Sequence, residues 1–549
     1  MGTGVDLNRY SVLKVAMTAA IIVLLVYMRT LSCDFVNLDD PAYIIENTGI
    51  RSLGSEFWYW AFATFPINYW MPVLWISFAV DYHFWGLNPF GYHLTNNILH
   101  AVNTGLVVLM ADGLYRNRFA QREEVPNSKY IYTGMLLLAG LIFGIHPVRV
   151  ESVAWATERK DVLNGLFTLG SIICYLRYQE IKEAHAEKKR IYCYYCLSLL
   201  LFLVSLMCKP SSIFIPIALL VIDWYPLGRL RQGKVLPLLV EKIPYAVSGG
   251  IIILVSIILR VQEGGFNTLA DFPLAVRSAA AGNALVEYFR LMLYPVGILP
   301  YYALPRPVPI YFIYKAVAAA GFIFISVCLG KRLPQLTAAV LFFAIIIFPG
   351  LNFVTDGAQT IVCLRYTYLP SLLPSIILAA VVGSWYLKVA QSWPVRGEFL
   401  FCCLLTSLLV FYAVTTYRLI GDWKDSGTYW TKVIDHQPFE KAYFFRGSFY
   451  ADKGDHLAAI KDYTTCLAQA TVRTLPQLHN VYAYRGYALL KAGYFEDAVD
   501  DFTEAISMRP YQIYYYYRGV ALKSMEMGKE AEADFDKAGE ENGQIHWLD

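Results

Sequence analysis

Charged residues are scarce in this chain. Only 16% of its 549 residues are Asp, Glu, Lys or Arg, whereas hydrophobic residues make up 57%. Soluble domains carry about 25% charged and about 45–50% apolar residues. The composition therefore excludes a disordered chain, a collagen, a coiled coil and a single soluble enzyme, and it indicates a membrane protein with several spans.

The sequence also lacks the motifs of several enzyme classes. It has no GxxxxGK[ST] loop, no GxGxxG leading into a helix, no HExxH and no GxSxG. ATP-driven transport, dehydrogenase, zinc protease and serine hydrolase activities have no support from motifs. No clustered basic face is present, so nucleic acid is not an expected partner. Cys193-x-x-Cys196 is a lone pair beside an apolar run, which favours packed thiols over a zinc or redox site.

Eleven apolar runs are long enough to cross a hydrocarbon core of about 30 Å, which takes about 20 helical residues. The first, preceded by Arg9 and Lys14, is predicted to be a retained signal anchor. The predicted spans are residues 12–31, 93–115, 130–147, 161–179, 191–208, 211–227, 243–261, 311–330, 334–350, 366–387 and 399–417.

The basic residues predict which side each loop occupies. With the N-terminus cytoplasmic, every connection after an even-numbered span contains Lys or Arg, as the positive-inside rule requires. The segments 32–92 and 262–310 and the tail from 418 are then non-cytoplasmic. Within 262–310, the apolar run 275–294 carries Arg277, Glu287 and Arg290, and we interpret it as a helix on the outside.

Three segments of the tail repeat a pattern. Each begins with an aromatic residue, Arg and Gly, followed 12 residues after the Gly by Ala, then by Asp at 15 and an aromatic residue at 16. The Arg-Gly pairs are Arg446-Gly447, Arg485-Gly486 and Arg518-Gly519. A helical hairpin repeated about every 34 residues is typical of tetratricopeptide repeats, which bind peptides or proteins.

Candidate catalytic residues lie on the predicted outside loops. Asp39 and Asp40 follow the first span by a few residues. Adjacent carboxylates raise each other's pKa, which suits a general base, and they can also bind a metal ion; an Asp before Pro is equally common in a solvated turn. His93 and His100 share one helix face, which indicates either a cavity lining or hydrogen bonding between helices.

Further ionisable residues cluster at the predicted outer membrane edge, where charge is costly and usually functional. Arginine and lysine there fit the phosphate of a lipid whose tail stays in the bilayer, although long basic side chains also reach the interface without a ligand. The phosphate-binding candidates are Arg159, Lys160, Lys209 and Arg365. The other site candidates near them are His146, Glu151 and Asp161.

Several stretches in order resemble one family. They are Asn37–Ile44, Trp85–Asn96 with His100, His146-Pro147-Val148 through Asp161, Lys209-Pro210-Ser211, Arg365–Pro370 and the C-terminal repeats. Together they are similar to the transmembrane and tetratricopeptide repeat-containing glycosyltransferases, whose eukaryotic members are protein O-mannosyltransferases. Glu158-Arg159-Lys160-Asp161 and the short array depart from the eukaryotic pattern and suggest a bacterial member.

The resemblance implies an all-α fold: a membrane helix bundle of about eleven spans, similar to C-type glycosyltransferases, followed by an α-solenoid. It also implies a catalytic acid residue in the first outside loop, which maps to Asp39 or Asp40. The expected domains are 1–420 for the membrane glycosyltransferase, 421–440 for a linker and 441–549 for three tetratricopeptide repeats.

We therefore expect a membrane glycosyltransferase that moves a sugar from a polyprenyl-phosphate donor to a hydroxyl of a protein held by the repeats. The expected location is a bacterial inner membrane, or the endoplasmic reticulum in a eukaryote, with the site on the non-cytoplasmic side. No cofactor is certain; Mg²⁺ or Mn²⁺ would bind at Asp39 and Asp40. The alternatives are a glycosyltransferase acting on a lipid or polysaccharide, and a non-enzymatic membrane-anchored repeat scaffold.

The predicted sidedness can be tested directly. A cysteine introduced near Asp452 should react with an impermeant thiol reagent only from the non-cytoplasmic side, because eleven spans separate it from a cytoplasmic N-terminus. Labelling from the cytoplasmic side would contradict this arrangement.

Overall fold

A computed structural model describes residues 9–64, 66–119, 128–232, 235–262, 273–305, 307–351, 360–393, 395–470 and 477–539. The chain forms two compact units. The membrane unit comprises Met1–Cys33 and Tyr43–Gly421, and the repeat unit comprises Asp34–Ala42 and Asp422–Asp549. The segment Asp34–Ala42, which the sequence assigned to the membrane domain, thus folds with the repeats. Parts of the predicted outside segment 262–310 and of the tail lie outside the described residues.

The described part of the membrane unit is built from α-helices joined by short 3-10 turns. These helices are α1 (Arg9–Tyr27), α2 (Ser55–Ala63), α3 (Pro72–Trp85), α4 (Pro89–Phe119), α5 (Ser128–Gly144), α6 (Val150–Ala154), α7 (Arg159–Glu183), α8 (Lys188–Cys208), α9 (Ile215–Trp224), α10 (Val235–Gln262), α11 (Leu274–Leu293), α12 (Tyr311–Cys328), α13 (Pro334–Ile347), α14 (Leu372–Ser392) and α15 (Arg396–Ile420).

Eight of the predicted spans coincide with helices that are long and apolar enough to cross a membrane, within the described residues. The helical membrane bundle is thereby confirmed. The other three predicted spans differ from a simple long apolar helix. The run 130–147 forms α5, which ends at Gly144, and the next helical segment, Pro147–Ala154, is bent by 49° relative to it. The run 211–227 forms a shorter apolar helical stretch, Pro210–Trp224.

The third exception is α7, which covers the predicted span 161–179. It has 25 residues, enough to cross the bilayer, but charged residues at both ends lower its hydropathy. Most of its side chains are nevertheless buried within the membrane unit, including Arg159, Lys160 and Asp161. A helix of this composition is stable there only because its neighbours neutralise those charges.

The predicted outside helix at 275–294 is present as α11. It packs closely on α12. Gly282 permits this approach, since a Cβ atom added there would lie only 2.2 Å from Cβ of Ala316. Tyr288 and Leu291 of α11 are fully buried in the same apolar core as Phe343 of α13. This core supports the loop that leads to α14.

The repeat unit is also helical. Its helices are α16 (Ser426–His436), α17 (Glu440–Asp452), α18 (His456–Gln469), α19 (Leu478–Ala492), α20 (Phe495–Met508), α21 (Gln512–Ser524) and α22 (Gly528–Ala538). The last six form three hairpins, which confirms the predicted solenoid. The predicted linker 421–440 contains α16, so it is not an extended connection.

Each position of the repeated pattern has a physical role in a hairpin. The small residues Ala459, Ala498 and Ala531 are buried where the two helices cross. The aromatic residue sixteen positions after the Gly packs on that Gly: a Cβ atom added to Gly447 would lie 2.8 Å from the Tyr463 ring. The Arg and Asp form a two-pronged ion pair, as in Arg485–Asp501, where the N–O distances are 2.8 and 2.7 Å.

Candidate active site

Six ionisable side chains of the membrane unit meet where α6, the start of α7, the end of α8 and the turn before α14 come together. Three are cations and three are carboxylates, so their formal charges cancel. We call this group the ion cluster, and its members are Lys160, Lys209, Arg365, Glu151, Glu158 and Asp161.

Local chain geometry brings these side chains to one place. Pro210 lacks a backbone N–H and disfavours helical conformation in the residue before it, so α8 ends at Cys208 and Lys209 is extended (φ −162°, ψ 129°). A 3-10 turn, Ala156–Glu158, redirects the chain into α7 and carries Glu158 at its end. A second 3-10 turn, Leu364–Thr367, carries Arg365.

Glu158 is the centre of the ion cluster. Its carboxylate lies 3.0 Å from Nζ of Lys160, 3.3 Å from Nζ of Lys209 and 3.3 Å from Nε of Arg365. Its side chain is 0% exposed. Burial alone would raise the pKa of Glu158, but the three cations outweigh burial and hold that pKa well below its usual range. The carboxylate is therefore a permanent anion at neutral pH.

The outer carboxylates complete the neutralisation. Asp161 accepts a hydrogen bond of 2.6 Å from Lys209, and Glu151 pairs with the Arg365 guanidinium. Glu151 also accepts from the backbone N–H of Arg365 at 3.2 Å. Burial acts to lower the pKa of Lys209, but Asp161 and Glu158 raise it above the ordinary value. Lys209 consequently stays charged although it is largely buried.

Aromatic rings cover the three cations. The Nζ of Lys160 lies 4.9 Å from the ring centroid of Tyr43, and the Nζ of Lys209 lies 5.4 Å from that of Tyr366. The Arg365 guanidinium lies 5.2 Å from the Trp155 ring and 5.0 Å from the Tyr366 ring. Ring faces attract cations and exclude water, so they strengthen the electrostatics of the cluster.

The structure separates Arg159 from its neighbour Lys160. Arg159 is fully buried and forms an ion pair of 2.5 Å with Asp81 on α3. It also donates to Oδ1 of Asn96 at 2.9 Å and to the Tyr92 carbonyl at 2.8 Å, both on α4. Its donors thus tie α7 to α3 and α4, which is a structural role rather than a position in the ion cluster.

The predicted histidines are buried and lie outside the ion cluster. His100 contacts the Tyr368 hydroxyl at 2.8 Å through Nδ1 and the Gly144 carbonyl at 2.9 Å through Nε2. His146 accepts from the Val148 N–H and contacts the Met292 carbonyl at 3.0 Å. Since each carbonyl requires an N–H donor, both rings use their two nitrogens within the fold. His93 is 1% exposed on α4.

Two buried residues, Glu158 and Arg149, were not singled out by the sequence analysis. Glu158 was noticed only as part of the run Glu158–Asp161, although an acidic residue inside a basic run was an available signal. Arg149 is 1% exposed and donates to the hydroxyls of Thr367, at 3.1 Å, and Ser371. No pattern in the sequence distinguishes a buried arginine of this kind from an interfacial one.

Asp39 and Asp40 lie in the segment Asp34–Ala42 of the repeat unit. Asp40 is 0% exposed, and its Oδ2 accepts a hydrogen bond of 2.8 Å from the Val36 N–H. This bond closes the loop, which agrees with a turn role for Asp40. Asp39 is partly exposed on the same loop. Among the described residues, no three His, Cys, Asp or Glu side chains are placed to hold a metal ion together.

Comparison with known proteins identifies relatives. The chain is 31% identical to Protein O-mannosyl-transferase tmtc2 of Xenopus laevis over 164 residues, 28% of this chain. It is 31% identical to Protein O-mannosyl-transferase Tmtc1 of Drosophila melanogaster over 38% of this chain, and 27% identical to human Protein O-mannosyl-transferase TMTC2 over 40% of this chain. No protein-family model matches the chain.

Over these segments the chain is similar to the TMTC protein O-mannosyl-transferases. The resemblance that its motifs indicated is thereby confirmed, whereas the bacterial origin stays a prediction. The matches span only 18%, 23% and 25% of the lengths of those three relatives. The activity of this chain therefore has to follow from its own residues.

Replacing Glu158 by Gln should destabilise the membrane unit. The change removes the central anion and leaves three neighbouring cations with less neutralisation, which costs about 3–5 kcal/mol in a buried network. Thermal unfolding of the purified protein at pH 7 measures this, with Glu183→Gln, an exposed residue at the other end of α7, as the control. Equal melting temperatures for wild type and Glu158→Gln would contradict the central role of Glu158.

The effect of Glu158→Gln should also depend on pH. Because the folded protein lowers the pKa of Glu158, the stabilisation is fully present above the unfolded pKa of about 4.3 and is lost as the pH falls below it. The difference in melting temperature from wild type should thus be constant from pH 6 to 8 and shrink below about pH 4. A difference that instead grows on acidification would show that the pKa of Glu158 is raised by folding.

Proposed function

We propose that this chain is a membrane glycosyltransferase that moves a sugar from a polyprenyl-phosphate donor to a hydroxyl of a protein acceptor on the non-cytoplasmic side. The observation that carries the proposal is the ion cluster, in which Lys160, Lys209 and Arg365 are held together at loop ends of a membrane helix bundle. The names of the TMTC relatives, which are protein O-mannosyl-transferases, support the reaction class.

The cations of the ion cluster suit a donor phosphate. A phosphate needs positive charge and N–H donors, and a guanidinium can bind two of its oxygens at once. Without a donor, Glu151, Glu158 and Asp161 keep the cations charged and oriented. A donor phosphate would compete with the outer carboxylates, Glu151 and Asp161, while Glu158 holds the three cations in place.

The same cations would promote the reaction itself. When the bond between sugar and phosphate breaks, the leaving phosphate gains one negative charge. Lys160, Lys209 and Arg365 would stabilise this added charge more strongly than the charge of the intact donor, and only such a differential interaction speeds the chemical step. The aromatic covers Trp155 and Tyr366 would keep water away from the reacting phosphate.

We assign the role of general base to Asp39. The acceptor hydroxyl must lose a proton as it attacks the sugar, and a carboxylate can take it. Asp40 uses one carboxylate oxygen in the loop-closing bond to Val36. Asp39 precedes Tyr43 by four residues, and Tyr43 covers Lys160. A Mg²⁺ or Mn²⁺ ion would take its protein ligands from this Asp pair.

The repeats have the role of holding the acceptor protein in this proposal, because helical-hairpin arrays present extended surfaces for peptides. The membrane location is multi-pass, with the ion cluster and the repeats outside the cytoplasm.

Transfer to a lipid or polysaccharide and a purely scaffolding function are the alternatives. A scaffold has no need for three buried cations that share one carboxylate, which is why we prefer an enzyme.

The Asp39→Asn variant should lose activity without losing donor affinity. The substitution keeps the shape and removes the base, so turnover should fall by about 10²–10⁴-fold while the KM for donor changes little. The assay follows sugar release from polyprenyl-phosphate mannose by purified protein in lipid nanodiscs. Asp34→Asn, which alters an exposed carboxylate of the same segment, should retain wild-type turnover. Normal turnover by Asp39→Asn would remove Asp39 from the mechanism.

The Arg365→Lys variant should show the opposite kinetic pattern. Lysine keeps the charge but cannot make two parallel hydrogen bonds, so the KM for donor should rise by about tenfold. The same nanodisc assay with varied donor concentration measures it. The exposed Arg418→Lys provides the control for an Arg-to-Lys change. If the KM of Arg365→Lys equals that of wild type, Arg365 does not bind the donor phosphate.

A further inference from the structure

The repeat array begins with half a hairpin. In the second and third hairpins, the Arg that pairs with Asp also donates to a Thr on the preceding hairpin: Arg485 to Thr464 at 3.2 Å and Arg518 to Thr503 at 3.0 Å. Arg446 of the first hairpin donates in the same way to Thr431 of α16, at 3.2 Å. Helix α16 therefore stands where the second helix of a preceding hairpin would stand.

The segment Asp34–Ala42 is bound at this first end of the array. Asn37 makes three of the contacts: its backbone N–H donates to Ser426 Oγ at 2.9 Å, its side-chain amide donates to the Phe445 carbonyl at 2.8 Å, and its Oδ1 accepts from the Trp430 indole N–H at 2.7 Å. Asp34 adds a backbone bond of 2.7 Å to Lys424. We call the contacts of Asn37 the Asn37 clasp.

The partners of the clasp are themselves rigid. Trp430 is 1% exposed and stacks on Phe445, with ring centroids 4.9 Å apart and an interplanar angle of 13°. Trp430 belongs to α16 and Phe445 to α17, so the clasp holds the segment to both helices at once. Both hydrogen-bonding functions of the Asn37 amide are satisfied, which fixes its orientation.

The clasp also restrains Asp39. Asp39 is two residues from Asn37, and the bond from the Val36 N–H to Asp40 closes the loop around both. With Asn37 anchored and the loop closed, few backbone conformations are left to Asp39. A general base must be held in one geometry to be efficient, since small displacements reduce turnover strongly.

We propose that Asn37 and Trp430 are positioning residues for the Asp39 base, so that the first two helices of the repeat unit, α16 and α17, contribute to the chemical step as well as to acceptor binding. The inference rests on the proposed function of Asp39. It differs from that function in assigning a catalytic effect to residues of the repeat unit that touch neither donor nor sugar.

Two measurements on the full-length protein test the proposal together. Hydrogen exchange of the peptide that covers residues 34–42 reports the clasp and the loop it anchors, because the Asn37 N–H is bonded to Ser426 and the Val36 N–H to Asp40. Sugar release from polyprenyl-phosphate mannose, resolved into kcat and KM, reports its effect on the reaction. The variants are Asn37→Ala, which removes both side-chain bonds, and Trp430→Phe, which keeps a ring and removes the indole N–H.

Both variants should exchange faster in residues 34–42 and lose kcat with an unchanged donor KM. One lost hydrogen bond predicts about a five- to tenfold fall in kcat for Trp430→Phe, and a larger fall for Asn37→Ala. The controls are Trp393→Phe and Gln391→Ala, which alter exposed side chains of the membrane unit. They should match wild type in both measurements, and a wild-type melting temperature confirms that each variant is folded.

The outcomes separate this proposal from the proposed function. Unchanged exchange in both variants would overturn the clasp. Faster exchange with unchanged kcat, while Asp39→Asn is inactive, would overturn the positioning role and leave the function of Asp39 intact. Full activity of Asp39→Asn would overturn the proposed function, and with it the positioning role, even if the exchange result held.

Discussion

The membrane unit depends on one buried carboxylate. Glu158 lies within 3.3 Å of the cationic nitrogens of Lys160, Lys209 and Arg365 and is not exposed at all. Three cations this close would repel one another strongly in a medium of low dielectric constant if no anion stood between them. The loops after α6, after α8 and before α14 can meet only because Glu158 is there. The geometry of any site built from these loops therefore depends on Glu158.

Hydropathy predicted most of the membrane unit because a helix exposed to lipid must be apolar all along. Three predicted spans differ from regular long apolar helices, each for a physical reason. The break before Pro147 bends one predicted span, and the run after Pro210 is short. Most side chains of α7 are buried against other helices and not exposed to lipid, so its low hydropathy does not show whether it lies within the bundle. The repeats were predictable because a Gly, an Ala and an aromatic residue recur at fixed spacing. Helix α16 was missed because half a hairpin lacks that Arg-Gly signature.

The site could be predicted as a set of loops but not residue by residue. Arg159 and Lys160 are equivalent by composition and position in the sequence. Successive residues on a helix point about 100° apart, so one meets Asp81 and the other meets Glu158. The same limit applies to Asp39 and Asp40, of which Asp40 closes the loop. The role of each carboxylate depends on its partners, and partners that are distant in sequence leave no local pattern.

Helix α7 illustrates how a charged helix is accommodated. Its first turn carries Lys160 and Asp161 of the ion cluster. Near its other end, the Tyr175 hydroxyl donates to the buried Asp223 at 2.8 Å, and Asp223 is paired with Arg229 and Lys242, each at 2.8 Å. At 1.5 Å per residue, the two networks are separated by about 20 Å along the helix. The charges of Lys160 and Asp161 in the first turn of α7 are thus paired within the ion cluster, and Lys182 near its other end pairs with Glu241 of α10 at 2.5 Å. The apolar stretch between the two networks is held by packing alone. The networks at its ends fix the depth and the rotation of α7, and this rotation orients Lys160 toward Glu158.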